Sequence, residues 1–239
     1  MRQRVFEGLP WDALLEHLDA ILASGDSVSV FTSWGDEVEQ VWVKRRVTGD
    51  AEAVENDLFG ARPATVDRHP ILGLDPENCS AQLGVPGPWW DRLPHFRFGF
   101  TPSSGEELQS EFHVPRAHAR AAIEAIQGHA GVIRPVLQVS ELRSVAADGL
   151  WMSPQYDRDT LALHFTWRRE PAAVRRALAP IEAALAEFGA RPHWGKLFLA
   201  DAPALAGRYE RHADFLALAA RLDPRGAFRN AWFDRCVGG

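Results

Sequence analysis

Six residues, Arg191-Pro192-His193-Trp194-Gly195-Lys196, place a rigid proline, two aromatic rings, a glycine and a lysine between an alanine-rich stretch and Leu197-Phe198-Leu199. Proline and glycine restrict the backbone there, so the fold would aim the lysine. A plain helix-to-strand turn with a surface lysine has the same composition. The polar residues upstream favour the sharper reading. Side chains two apart on a strand share a face. Over 107–114 that rule groups Gln109, Glu111 and His113 on one face, with Leu108, Ser110, Phe112 and Val114 on the other. It also groups Glu141 with Arg143 over 136–145, and His164 with Thr166 over 161–168, where Leu163, Phe165 and Trp167 form the apolar side. A water-facing side of an antiparallel sheet would be polar too. These faces, however, are poor in lysine and rich in groups that make directed hydrogen bonds. A ligand with many hydroxyls selects such a mixture of carboxylate, guanidinium and amide, because each hydroxyl both donates and accepts.

Other chemistries find little support. The chain shows no Gly-rich phosphate loop, no nucleophile elbow and no run of zinc ligands. His113 and His118 read as ordinary surface histidines. Asn78-Cys79-Ser80 fits the glycosylation pattern, but nothing else suggests secretion. A net charge of −6 over 239 residues removes the electrostatic case for nucleic acid. The tight basic cluster, Lys44-Arg45-Arg46, reads as the solvated end of a strand. Cys79 and Cys236 lie far apart without metal spacing, which suggests free thiols in a reducing compartment. The first residues have no apolar signal core, and no run approaches the ~20 apolar residues that span a bilayer. The expectation is a soluble cytoplasmic protein, with membrane attachment only through a partner.

The elements that must position these residues alternate between strand and helix. Residues 3–6 read as a strand. Pro10 opens a helix with Leu14, Leu15, Leu18, Ile21 and Leu22 on one face, closed by Ser24-Gly25-Asp26. Segments 27–31 and 41–44 read as antiparallel neighbours joined through Gly35-Asp36. Residues 47–95 are rich in Pro, Gly, Asp and Asn without a sustained period. They form either a surface wrapping pinned by Trp89 and Trp90 or a wall of a binding cleft. Strands at 107–114, 136–145 and 161–168 follow, with a helix from Pro115 to Gly128 between the first two. An alanine-rich helix over 170–188 carries Pro180, which should kink or split it. A further helix spans 209–222, and Phe228, Trp232 and Phe233 put aromatic surface near the end that should dock on something. The fold class expected is α+β: two similar halves around one antiparallel sheet, with helices packed on one face.

With these residues in place, the chain resembles the C-terminal, substrate-binding half of the FAD-linked alditol oxidase and D-arabinono-1,4-lactone oxidase family, which are vanillyl-alcohol oxidase-like flavoproteins. The stretches that carry the resemblance are Gly84-Val85-Pro86-Gly87-Pro88-Trp89, Arg92-Leu93-Pro94-His95-Phe96, Phe100-Thr101-Pro102-Ser103-Ser104-Gly105, Glu107-Leu108-Gln109-Ser110-Glu111, His164-Phe165-Thr166-Trp167, Arg191-Pro192-His193-Trp194-Gly195-Lys196, and Leu222-Asp223-Pro224 with Phe228 and Asn230.

The resemblance implies that a polyol or sugar lactone sits over the sheet beneath a flavin ring. Glu141 and Arg143 would bind and orient its hydroxyls, with Gln109 and Thr166 adding hydrogen bonds. Arg143 and His164 would flank the carbinol to be oxidised. Lys196 would lie near both substrate and flavin, with His193 as a second cofactor contact. The implied reaction is hydride transfer from carbon to flavin, with dioxygen reduced to hydrogen peroxide. Arg143 and Lys196 would stabilise developing negative charge, and His164 would handle the proton. FAD would be bound mainly by a domain absent from this chain, carried on a separate domain or polypeptide. Residues 1–190 would then form the substrate-binding domain, and 191–239 a segment that packs on the FAD domain. Alternatives are a non-catalytic module that binds a polyol or sugar acid, and an inactive gene fragment.

Overall fold

The long strands are runs rich in β-branched and aromatic residues, buried along most of their length. The computed structural model describes residues 1–47, 57–100 and 107–238. Thr101-Pro102-Ser103-Ser104-Gly105 of the family-like stretches, and 48–56 of the long irregular segment, lie outside the described residues. The strands are β1 (Arg2–Leu9), β2 (Ser27–Thr32), β3 (Val38–Arg45), β4 (Arg62–Pro63), β5 (Glu107–Pro115), β6 (Leu137–Val145), β7 (Thr160–Arg168) and β8 (Arg191–Pro192). The helices are α1 (Trp11–Glu16), α2 (Leu18–Leu22), α3 (Trp89–Arg92), α4 (Ala119–Gln127), α5 (Ala130–Ile133), α6 (Pro171–Ala186), α7 (Ala202–Ala206), α8 (His212–Leu222) and α9 (Ala231–Cys236).

Among the described residues, eight strands form one sheet in the order β4-β1-β3-β2-β6-β7-β5-β8. It is an antiparallel sheet with helices packed on it, an α+β fold. The expected halves are visible in this order. In β1-β3-β2 the first strand of a group is followed by its third and second, and β6-β7-β5 reads the same way backwards. The chain also divides into two compact units. The first comprises Met1–Gln109, Ala130–Arg143 and His164–Glu170; the second comprises Ser110–His129, Ser144–Leu163 and Pro171–Gly239.

In the first unit, β3 lies between β1 and β2, with Val5 opposite Trp42 and Val30 opposite Val41. β2 then pairs with β6, which sets Phe31 against Glu141. The helix expected after Pro10 is two short helices, because His17 breaks the backbone at φ −113° and ψ 22° and stacks on Phe59 at 4.5 Å. Their apolar face is as expected, with Leu14, Leu18, Ile21 and Leu22 buried. Gly25 follows them because a side chain there would come within 2.7 Å of the Lys44 carbonyl oxygen. Trp34 joins this layer together. It stacks on Trp11 at 5.6 Å and on Phe165 at 6.2 Å, and its indole donates to Ser140 Oγ at 2.7 Å.

The described part of the long irregular segment, 57–100, covers residues of β1, β2, β3 and β6. Val5, Phe31, Trp42, Cys79 and Val139 form a buried cluster, and Ala64, Ile71 and Phe96 pack against it. Buried polar side chains pin the segment. Gln40 donates to the His69 carbonyl at 3.0 Å, Gln3 reaches Ser80 Oγ at 3.4 Å, and the Lys44 ammonium donates to the Leu93 carbonyl. Tryptophan does not pin it, since Trp89 and Trp90 are 61% and 60% exposed. Lys44 also corrects the expectation of a solvated basic cluster: it is 1% exposed. Strand alternation puts it on the side of Gln40 and Trp42, and the segment closes over that side.

In the second unit, α4 packs on α6. They bury Ala122, Ile123 and Ile126 from one helix and Val174, Leu178, Ile181 and Leu185 from the other. Pro180 does not split α6, which runs unbroken from Pro171 to Ala186. One missing N–H removes a single rung from a helix whose buried face is otherwise continuous. His113 is 4% exposed, against the expectation of a surface histidine, and its Nδ1 lies 2.6 Å from Gln155 Nε2. His118 is exposed as expected. Part of the aromatic tail packs within its own unit, with Trp232 against Trp194 at 6.0 Å and Phe233 against Phe215 at 6.4 Å. Phe228 is 87% exposed. Both cysteines are buried free thiols. No helix among the described residues is long and apolar enough to cross a membrane.

Candidate functional site

The first unit contains a cavity of about 410 Å³ where β2, β5, β6 and β7 meet the segment that covers them. Its polar wall carries Gln109, Glu141, His164 and Thr166. Its apolar wall carries Phe31, Ile71, Phe96 and Phe100. A concave site with a few convergent polar groups in an apolar setting is the usual form of a small-molecule pocket. Four of the residues singled out in the sequence therefore share one cavity. Arg143 does not line it but neighbours it, with Nη1 3.7 Å from Glu141 Oε2.

Strand registers explain the convergence. Glu141 is buried, and β2 pairing fixes it opposite Phe31. His164 and Thr166 lie on one side of β7, with His164 Nε2 3.2 Å from Thr166 Oγ1. Phe165 and Trp167 stack on the other side at 5.0 Å and are fully buried. The polar side is not open to water: His164 is 9% exposed and Thr166 8%. Gln109 donates to Glu107 Oε1 at 2.9 Å.

Three residues without an expected role shape the electrostatics. His95 Nε2 lies 3.2 Å from Glu141 Oε1 and 3.3 Å from Ser29 Oγ, and His95 Nδ1 lies 3.1 Å from Lys44 Nζ. Burial works to raise the Glu141 pKa, but the His95 hydrogen bond and the Arg143 charge outweigh it and hold the carboxyl down at about 2. Burial lowers the His95 pKa despite its bond to Glu141, so this ring is neutral near pH 7. Burial also drives Lys44 from 10.5 down to about 7, although Glu141 pulls it upward. Strand parity groups Lys44 with Gln40 and Trp42, a signal the reading of a solvated basic cluster passed over. His95 stands in an irregular segment with no period to read; only the Arg92-Leu93-Pro94-His95-Phe96 resemblance marked it.

The second unit holds the turn that carries Lys196. β8 pairs with β5, setting Phe112 opposite Pro192 and His113 opposite Arg191. Arg191 is 1% exposed and anchors the turn, donating to the carbonyls of Arg208, Pro154 and Tyr156 and to Glu210 Oε2 at 2.7 Å. The Trp194 indole donates to the Met152 carbonyl at 2.7 Å, and its ring packs on Tyr209 at 4.9 Å. The Lys196 N–H closes the turn onto the His193 carbonyl at 3.1 Å. The backbone is thus held as the proline and glycine suggested, and the lysine is aimed. Its ammonium lies 2.5 Å from Glu111 Oε2, while its side chain stays 17% exposed. Glu111 also lies 3.4 Å from His113 Nε2. Alternation along β5 puts Gln109, Glu111 and His113 on one side of that strand, as the sequence implied.

Comparison with known proteins fits this arrangement. A family model described as D-arabinono-1,4-lactone oxidase matches residues 105–236. Alditol oxidase from Streptomyces sp. (strain IKD472 / FERM P-14339) is 48% identical over 238 residues, which is 99% of this chain and 56% of that protein. L-gulono-1,4-lactone dehydrogenase from Mycobacterium tuberculosis is 32% identical over 136 residues, 54% of this chain and 30% of that protein. The chain spans little more than half the length of the first of these relatives. A match over nearly all of the chain, together with a family model covering more than half of it, shows that the chain belongs to the D-arabinono-1,4-lactone oxidase family.

Proposed function

We propose that this chain is the substrate-binding part of an FAD-dependent oxidase that oxidises a CH–OH group of a sugar alcohol or an aldonolactone. The observation that carries this reading is the convergence of Gln109, Glu141, His164 and Thr166 on one cavity. Its volume suits a five- or six-carbon polyol, and the ionised Glu141 accepts hydroxyl protons where Gln109 both donates and accepts. His164 is the candidate acid/base for the carbinol proton, oriented by Thr166. Arg143 and Lys196 are the cations proposed to stabilise negative charge growing on the carbinol oxygen.

FAD, when bound, supplies the acceptor for the carbinol hydride and a route for the electrons to dioxygen, giving hydrogen peroxide. The residues of this chain proposed to touch it are Lys196 and His193. They fit that role because one hydrogen-bonded turn holds both, and Lys196 keeps part of its side chain at the surface. We assign most FAD contacts to a region outside this chain, and its coverage of only 56% of the alditol oxidase relative supports that assignment. Residues 191–239 are proposed to pack on that region, with Phe228 as one contact because it is 87% exposed.

The test is reconstitution. The chain is co-expressed with the remaining portion of the alditol oxidase relative, and peroxide is assayed with xylitol or sorbitol. Peroxide should appear only in the pair, and Lys196→Ala in the pair should lower turnover at least a hundredfold, the scale of one lost charge-stabilising group. Flavin-dependent turnover by this chain alone would overturn the dependence. Polyol binding without peroxide in any pairing would make the chain a binding module.

A further inference from the structure

We infer that His95 is a positioning residue for Glu141, and that Lys44 fixes the tautomer in which it works. An ammonium has three donors and no acceptor. While Lys44 is protonated, with Nζ 3.1 Å from His95 Nδ1, that ring nitrogen must accept. The ring proton then sits on Nε2, which donates to Glu141 Oε1 at 3.2 Å, with Ser29 Oγ beside it at 3.3 Å. Lys44 is itself held in place, because its ammonium also donates to the Leu93 carbonyl two residues before the ring.

Packing restrains the ring. It meets Phe31 and Trp42 edge-on at 5.3 Å and 5.4 Å. Phe31 and Trp42 are buried and wall the ring on those sides, while its remaining edge borders the cavity. His95 therefore occupies one carboxylate oxygen. Oε2, the oxygen nearer Arg143 at 3.7 Å, is the one assigned to a ligand hydroxyl. A buried carboxylate with one oxygen committed presents a directional acceptor instead of a rotating one. The consequence for a ligand rests on the reading of the cavity as a polyol site. The tautomer does not.

Two measurements separate those claims. Ring nitrogen shifts of the ¹⁵N-histidine-labelled chain at pH 6, with His95 assigned through H95Q, report the tautomer directly. In the neutral ring, the inference predicts the proton on Nε2 in the wild type and in Lys44→Arg, and a population of the other tautomer in Lys44→Met. A proton on Nδ1 in the wild type, or an unchanged tautomer in a folded Lys44→Met, overturns it. For the ligand, xylitol affinity is measured by calorimetry. His95→Leu should weaken binding about tenfold, the loss of one hydrogen bond to a charged group. His95→Gln, which keeps an N–H near the Nε2 position, should recover most of it. Equal weakening in both variants overturns the positioning role. A wild type that binds no xylitol removes the proposed function and leaves the nitrogen shifts to decide the tautomer.

Discussion

Raising the pH from 7 to 9 should make this protein more stable, and Lys44 is the reason. Its pKa falls from 10.5 in the unfolded chain to about 7 in the fold, chiefly because burial penalises the charge and only partly because Glu141 offsets that. Between those two values the unfolded chain binds more protons than the folded one, so unfolding free energy climbs with pH. At about 1.4 kcal/mol per unit, and with the folded group half deprotonated at pH 7, the climb is about 2 kcal/mol by pH 9. Above pH 9 a second buried group acts in the opposite sense. The Cys79 thiol is pushed by burial from 9.0 up to about 11, so it ionises first in the unfolded chain and pulls stability down. Between pH 9 and about 10.5 the two slopes nearly cancel, so stability should rise to about pH 9 and then level off. His69 and His95, both lowered by burial, act only below about pH 6.5. Urea unfolding followed by tryptophan fluorescence at pH 6, 7, 8, 9 and 10 would trace the curve. Lys44→Met should flatten the rise between pH 7 and 9, and Cys79→Ser should let the rise continue above pH 9. A flat wild-type profile from pH 7 to 9, or the same slope in Lys44→Met, would refute the reasoning.

Two further outcomes test the frame around the site. Arg191→Ala leaves the carbonyls of Pro154, Tyr156 and Arg208 without their buried donor and should cost about 3–5 kcal/mol in urea unfolding, with loss of the Lys196 turn. Pro180→Ala restores a helical N–H inside α6 and should raise the unfolding midpoint by up to about 3 kcal/mol in free energy; a destabilised variant would show that the ring is packed too well to replace.

Period-two alternation made β5, β6 and β7 legible, and with them the facing of Gln109, Glu141, His164 and Thr166. Each of those positions is determined by its own strand, so local pattern was enough. The helical spacing of Leu14, Leu18, Ile21 and Leu22 was legible too, but the break at His17 was not, because a stacked Phe59 ring from 42 residues away holds it. The burial of Lys44 and His113 escaped for the same kind of reason. A basic cluster at a strand end reads as solvated unless a covering segment is known, and the cover over Lys44 has no periodicity of its own. His95 illustrates the limit most plainly: its role depends on Lys44, Ser29 and Glu141 meeting around one ring, and nothing in the spacing of those four residues announces it.

The central claim is that the cavity of the first unit receives a polyhydroxylated ligand. Titrating the histidine-labelled chain with xylitol while following every imidazole tests it most directly. The account predicts saturable shifts at His95 and His164, none at His118 or His212, and loss of the response in Glu141→Gln. A titration in which His164 stays silent while xylitol binds elsewhere, or does not bind at all, would contradict it.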